Sequence, residues 1–272
     1  MSNGTTSSYQ TEWQKHSQEQ SLLRWFGWFT FVALCVFCWQ VMNSDTMWFF
    51  VIDAPNQMSD IGGRMWPPRW SYMEQLWQPL WDTLNIATLG TLLGVIIAFP
   101  IAFLAARNTT PSRLFVRPIA LYIIAASRSI NSLIWALLLV AVLGPGLLAG
   151  IIAIALRSVG FVAKLMYEAI EEVNKNQVAA ITTTGASPLQ VLDYAVMPQI
   201  LPSFIGTSIF RWDINIREST VLGLVGAGGI GLKLEESMSI LAWPQVTVIF
   251  ISILATVVFS EWISARCRHA LI

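Results

Sequence analysis

Six stretches of the chain stay apolar for about 20 residues, the length a helix needs to cross the hydrocarbon core of a bilayer. They run near residues 25–42, 83–106, 119–143, 147–173, 203–225 and 246–265. Lipid offers a backbone no hydrogen-bond partners, so apolar blocks of this length fold as helices. The expectation is an all-α polytopic membrane protein with six transmembrane helices. Composition agrees: 12% of residues are charged, and a soluble domain usually carries about twice that share. A polar lead, residues 1–24, is rich in Ser, Thr and Gln and is expected to be disordered. The membrane domain then spans 25–272 and includes a polar loop at 174–203. No small-residue cleavage site follows the first block, so it reads as a span and not as a removable signal.

Orientation follows from Lys and Arg in the short flanks. With the N-terminus inside, the cytoplasmic flanks hold Lys15, Arg24, Arg107, Arg113, Arg117, Lys175, Arg266 and Arg268. The outer flanks hold Arg64, Arg69 and Lys233, so the count is eight against three. Both termini are therefore expected in the cytoplasm. Segment 43–78 falls outside, and Trp66, Trp70, Tyr72, Trp77 and Trp81 suit a headgroup-level belt.

Within the second block, Gly90, Gly94, Ala98, Ala102 and Ala106 recur every four residues. Such a ladder flattens one helix face and lets a neighbouring backbone approach closely. Pro100 is expected to kink this helix. Cys35 and Cys38 form a C-x-x-C pair inside an apolar block, where they read as lipid-tolerant residues and not as a redox motif. Residues 226–231 read G-A-G-G-I-G. As a dinucleotide fingerprint this run lacks a preceding strand and an acid at the right distance. It reads instead as a turn closing the fifth span. With no net charge, nothing in the bulk composition suggests nucleic-acid binding.

Ionisable residues sit where lipid should exclude them. Arg128 lies in the third block, Arg157 and Lys164 in the fourth, and Arg211, Asp213, Arg217 and Glu218 in the fifth. One charge at the bilayer centre costs about 2.5–3.5 kcal/mol on the lenient scale. Asp213 and Arg217 are one helical turn apart and can pair. Glu218 can meet Arg128 or Arg157 on a neighbouring helix. Five cations face two acids, so pairing leaves a cationic surplus. That surplus is either a lining for an anionic solute or a set of structural bridges with Lys164 and Arg211 snorkelling outward. The candidate pathway residues are Arg128, Arg157, Asp213, Arg217 and Glu218.

The loop at 174–203 is not low in complexity and reads as two short helices with a turn between them. Gly185 suits the C-terminal cap of the first, where a left-handed residue is needed. Ser187 reads as an N-cap, Pro188 as the first helical residue, and Gln190 completes a capping box. Leu189, Leu192 and Val196 form an apolar stripe, and Pro198 and Pro202 are expected to end this helix and start the fifth span. The stripe needs cover, either from a partner's groove or from the chain's own helix ends.

This segment resembles the conserved EAA loop of ATP-binding-cassette (ABC) importer permeases, whose pattern is E-A-A-x3-G-x9-I-x-L-P. Ala179-Ala180-Ile181, three threonines, Gly185, nine residues and Ala195-Val196-Met197-Pro198 keep that spacing. Ala179 stands where the pattern has Glu, and Ile181 where it has a second Ala. The resemblance extends to phosphonate importer permeases through M-W-P-P-R-W-S-Y (65–72), R-S-I-N-S-L-I-W-A-L (128–137) and I-N-I-R-E-S-T-V-L-G-L-V-G-A-G-G-I-G (214–231).

The resemblance implies a type I ABC importer permease fold in the bacterial inner membrane. It implies a homodimer around a central pathway, two cytoplasmic ATP-binding subunits and a periplasmic solute-binding protein. ATP and Mg would sit on the ATPase subunits, with no cofactor on this chain. Ala179, Ala180, Gly185, Ala186, Ser187, Pro188, Leu189, Leu192 and Pro198 would carry the coupling to the ATPase. The cargo would be a phosphonate or a related phosphorus oxyanion. Two other functions compete with this one: a permease for a different small solute, and a secondary anion carrier independent of an ATPase. A membrane-embedded enzyme is disfavoured, because no His lies in any span and neither Cys35 nor Cys38 has a base nearby.

Overall fold

The computed structural model describes the backbone of residues 5–271 and the side chains of residues 21–268. Its elements are α1 (Thr5–Asp45), α2 (Trp48–Met65), a 3-10 turn (Trp70–Tyr72), α3 (Met73–Ala105), α4 (Val116–Ser129), α5 (Ser132–Leu143) and α6 (Leu147–Glu171). Then follow α7 (Lys175–Thr183), α8 (Pro188–Val191), a π turn (Leu192–Val196), α9 (Met197–Gly223), α10 (Ile230–Ser239) and α11 (Trp243–Leu271). Among the described residues there is no strand.

The chain divides into two units, residues 1–60 and 61–272. In the first unit, α1 runs from Thr5 to Asp45. The lead has no Gly or Pro between Thr5 and Phe26, and Gln, Glu, Lys and Arg are good helix formers. Residues 1–4 lie outside the described residues. None of the span Ser21–Asp45 is buried, and its apolar side chains are exposed, as are Cys35 and Cys38.

In the second unit, α6 is the central helix, because it packs on α3, α4, α5 and α9. The Gly/Ala ladder of α3 faces it. A Cβ at Gly90 would lie 2.7 Å from Ile154 Cγ2, and one at Gly94 would lie 2.7 Å from Ser158 Cβ and 3.1 Å from the Ala155 carbonyl. Ala98, Ala102 and Ala106 continue the contact into a core with Val162, Ala163, Met166 and Ile170. A second cluster joins Ile86, Ala153, Ile154 and Leu222. A third joins Tyr72, Leu76, Ile230, Leu234 and Val246.

Four described helical segments are long and apolar enough to cross a membrane: Ser21–Asp45, Trp70–Ala105, Leu147–Glu171 and Trp243–Arg268. A fifth counts if α4 and α5 form one span, but they bend by 88° between Ser129 and Ser132. The third expected helix is therefore broken. Asn131 causes the restart: its side chain accepts the Leu133 amide and caps α5. The expected fifth span corresponds to α9, which at 27 residues is long enough. Its four ionisable residues, Arg211, Asp213, Arg217 and Glu218, keep it from qualifying on apolarity. The count of six therefore rests on admitting both a bent helix and a charged one.

The glycine run at 226–231 closes a tight hairpin between α9 and α10. A Cβ on Gly231 would fall 2.0 Å from the Thr220 carbonyl, so only a bare backbone fits that crossing. The Ile230 amide then donates to Thr83 Oγ1 on α3 at 2.8 Å, which pins the hairpin to the second span.

Substituting Gly94 by Val should push α3 off α6 and cost about 1–3 kcal/mol or more, as overpacking of a filled contact does. Gly206, with nothing within 4 Å of its added Cβ, serves as the control. Thermal unfolding of the detergent-solubilised protein should fall clearly for Gly94→Val and hold or rise for Gly206→Ala.

Candidate functional site

The 174–203 segment is built by side chains that close its own backbone. Asn174 caps α7 by accepting the Asn176 amide at 2.9 Å. At the other end, Thr182, Thr183 and Thr184 donate to the carbonyls of Val178, Ala180 and Ile181. Three β-branched residues thus finish the last turn with their own hydroxyls. Gly185 takes φ +81°, a conformation that favours glycine. The capping box is complete: Ser187 Oγ accepts the Gln190 amide, and Gln190 Oε1 accepts the Ser187 amide at 2.8 Å.

The second helix differs from expectation. Pro198 does not end it. The chain passes from α8 through the π turn Leu192–Val196 into α9 without a break. Met197 donates to the Leu192 carbonyl in the wider i→i−5 pattern, directly before Pro198, which has no donor to give. Gln199 ties the segment together: its Nε2 donates to the Ala195 carbonyl, and its Oε1 accepts the Asn174 amide at 2.9 Å.

The apolar stripe divides in two. Val196 is buried against the core and Leu192 packs beside it, whereas Leu189 is 77% exposed, with Tyr194 also exposed. Ala179, Ala180, Gly185, Ser187, Pro188 and Pro198 are exposed, and Ala186 is half-buried. A shallow groove of about 350 Å³ lies among Ile181, Thr184, Gly185, Ala186, Gln190 and Tyr194.

The second constellation lies at the middle of α6 and α9. Arg211, Asn215 and Glu218 stand at i, i+4 and i+7 and share one face of α9. Arg211 is only 2% exposed. Its Nε donates to Ser158 Oγ at 3.1 Å, its Nη2 meets Glu218 Oε2 at 3.2 Å, and its guanidinium lies over the Phe161 ring. Asn215 Nδ2 donates to Thr91 Oγ1 at 2.7 Å and to Ser158 Oγ at 3.0 Å. Arg157 Nε lies 3.4 Å from Glu218 Oε1, while its Nη1 donates to Asn131 Oδ1 at 3.0 Å. Arg128, at the end of α4, is exposed, and its stem crosses Gly160.

On another face of α9, Arg217 pairs with Asp213, as their spacing suggested. Asp213 also accepts from Ser260 Oγ on α11 at 2.8 Å. Of the two partners open to Glu218, the structure selects Arg157. Lys164 pairs with Glu168 one turn on.

Residues 98–265 match the family model described as the binding-protein-dependent transport system inner membrane component. The chain belongs to this family. The matched stretch of the permease contains both the 174–203 segment and the arginine cluster. The permease is 37% identical to the phosphite transport system permease protein PtxC of Stutzerimonas stutzeri, over 97% of this chain and 98% of that protein. It is 38% identical to the phosphate-import permease protein PhnE of Mycolicibacterium smegmatis, over 82% of this chain and 42% of that one. Among solved structures, a chain of the inward-facing MetNI methionine ABC transporter superposes with a TM-score of 0.64 at 20% identity, covering 74% of this chain and 98% of its own. A chain of an amino acid ABC transporter solved with histidines gives 0.63 at 18% identity, covering 74% and 95%. These likenesses establish the type I ABC importer permease fold.

Sequence reasoning missed the centre of the cluster. Arg211, left out of the candidate pathway residues and allowed to snorkel in one of the two readings, is buried more deeply than Arg128, Arg157 or Arg217. The signal was available in its seven-residue spacing from Glu218. Ser158, Asn215, Thr91, Asn131 and Ser260 are uncharged, and nothing in the sequence sets them apart from ordinary polar residues of membrane helices.

Arg211 fills a niche in which Ser158, Glu218 and the Phe161 ring all face it, so truncating it forfeits charged hydrogen bonds worth about 1.5–3 kcal/mol each. Arg211→Leu should therefore lower the detergent unfolding midpoint sharply. Lys164→Ala, which breaks a half-exposed pair, should cost under about 1 kcal/mol. Equal midpoints for the two variants would contradict the burial assigned to Arg211.

Proposed function

We propose that this chain is the permease subunit of an ABC importer that carries a phosphorus oxyanion of the phosphite or phosphonate class across the inner membrane. The observation that carries the substrate class is a surplus of cation at one point. Arg157 and Arg211 share the single carboxylate of Glu218, and Arg128 stands exposed at the end of α4 with its stem against Gly160 of α6. A guanidinium binds phosphorus oxyanions through two parallel hydrogen bonds. End-to-end similarity to a phosphite permease supports the same class.

On this reading two copies of the chain form the pathway in the lipid. A periplasmic solute-binding protein delivers the anion to the outer face. Two cytoplasmic ATP-binding subunits, which hold the ATP and Mg, grip the exposed 174–198 segment, and both termini of the permease lie on that side. The chain itself carries no cofactor and performs no chemistry. Ala179, Ala180, Gly185, Ala186, Ser187, Pro188, Leu189, Leu192 and Pro198 form or support the docking surface, with Leu189 and Tyr194 as its exposed apolar contacts. ATP-driven closure moves this segment. Because it continues into α9, the motion reaches Arg211, Asp213, Arg217 and Glu218 and shifts the population between inward-open and outward-open forms.

Proteoliposomes containing the permease, its ATPase and its binding protein test the substrate class. ATP-dependent uptake of phosphite, hypophosphite, aminoethylphosphonate or an alkylphosphonate is expected, with no uptake of methionine. Uptake of methionine alone would transfer the permease to another solute. Uptake by the permease without its ATPase would make it a secondary carrier. Gly185→Asp forces a side chain into the left-handed position and places a charge in the groove. It should leave the protein in the membrane while co-purification with the ATPase is lost; undiminished co-purification would remove this segment from the coupling surface.

A further inference from the structure

Glu218 divides its two oxygens between two arginines of unequal freedom. Oε2 faces Arg211, whose guanidinium is enclosed by Ser158 and the Phe161 ring. Oε1 faces Arg157, whose side chain is 31% exposed and whose Nε stands off at 3.4 Å. One arm of the carboxylate is therefore fixed and the other is loose.

Arg157 also has a second, neutral partner. Its Nη1 donates to Asn131 Oδ1, and Asn131 is held in place because it caps α5 at the break. If the loose arm of Glu218 is displaced, Arg157 keeps its position through Asn131. The stem of Arg128 lies against Gly160 on the same helix as Arg157. Ser127 donates to the Leu156 carbonyl and accepts the Gly160 amide at 2.9 Å, which seats the end of α4 beside Arg157. Two arginines on one carboxylate leave an excess of one positive charge in this group. That excess matches a singly charged phosphorus oxyanion.

We propose that Glu218 is a built-in substitute for the transported anion, occupying Arg157 while the pathway is empty and yielding it when a phosphorus oxyanion arrives. Arg211 is then a positioning residue that touches no solute. It retains Glu218 so that the carboxylate swings from one anchored end. The exchange has a physical motive: a buried or half-buried guanidinium is never left without a partner, which is the state that costs most. It also makes solute binding weak, because the anion must outcompete a tethered carboxylate. Weak holding suits a pathway that must release its cargo.

This inference rests on the permease reading above. The test is a double-mutant cycle on phosphite uptake in the full reconstituted complex, using Glu218→Gln, Arg157→Gln and the pair. The amide that Glu218→Gln introduces keeps an acceptor toward Arg211 but no longer competes for Arg157. Glu218→Gln is expected to lower KM for phosphite about threefold or more while kcat falls, because release slows. Arg157→Gln should raise KM about tenfold, and the double variant should match Arg157→Gln alone. Multiplying effects, or a raised KM in Glu218→Gln, would overturn the proposal and mark the pair as purely structural.

A second measurement needs no variant of Glu218. Phosphite should raise the unfolding midpoint of the wild-type complex above that in chloride of equal ionic strength, and Arg157→Lys should weaken this protection. Lack of phosphite-specific protection would also refute the exchange. If the wild-type complex moves none of the phosphorus oxyanions, the substrate reading fails. If it moves them and the cycle is additive, only this inference fails.

Discussion

Everything in the second unit is arranged around the close approach of α3 and α6. Gly90 and Gly94 remove the side chains that would hold the two backbones apart. Lipid supplies no hydrophobic drive for helix association, so the gain comes from dispersion contacts and hydrogen bonds across a narrow gap. The same approach brings Thr91 of α3 and Ser158 of α6 within reach of one amide, that of Asn215. Ser158 in turn holds Arg211. A contact made for packing thus also creates the polar niche that admits a buried cation.

α9 uses its faces for different tasks. One carries Arg211, Asn215 and Glu218 toward α6 and α3. Another carries Asp213 toward Ser260 on α11, with Arg217 beside it. Its beginning is continuous with the exposed 174–198 segment through the π turn. From Pro188 to Gly223 the backbone forms one helical rod, about 50 Å long at 1.5 Å per residue. The proposed ATPase contact and the charge cluster are two stations on that rod. No separate relay is needed between them.

The sequence exposed whatever is periodic or locally capped. The ladder from Gly90 to Ala106 has a four-residue repeat, and Ser187, Pro188 and Gln190 form a cap within four residues, so neighbours in sequence determine the outcome. Resemblance in the loop and in residues 128–137 and 214–231 pointed to the family directly. The break between α4 and α5 stayed hidden because both halves are mostly apolar and the short polar run around it, from Ser127 to Ser132, reads equally well as one face of a continuous helix, although the Asn131 cap decides the turn. The burial of Arg211 was hidden for another reason. Its partners Ser158 and Phe161 are some 50 residues away, and only the packing of α6 on α9 reveals that this arginine turns inward. The continuity through Pro198 needed a π turn, which no local pattern announces.

The 88° bend at Ile130 has an electrical consequence. Where α4 stops, its last carbonyls lose their helical donors, and polar groups at such a depth need water if no protein group answers them. On the proposed permease reading, water admitted at this break would thin the insulating layer, so more of the transmembrane voltage would fall across the stretch that remains. For an inside-negative cell, bringing a singly charged anion inward is uphill by about 2.3 kcal/mol per 100 mV. On that reading the bend would gather part of the electrical work of moving an anion into the stretch next to Arg157.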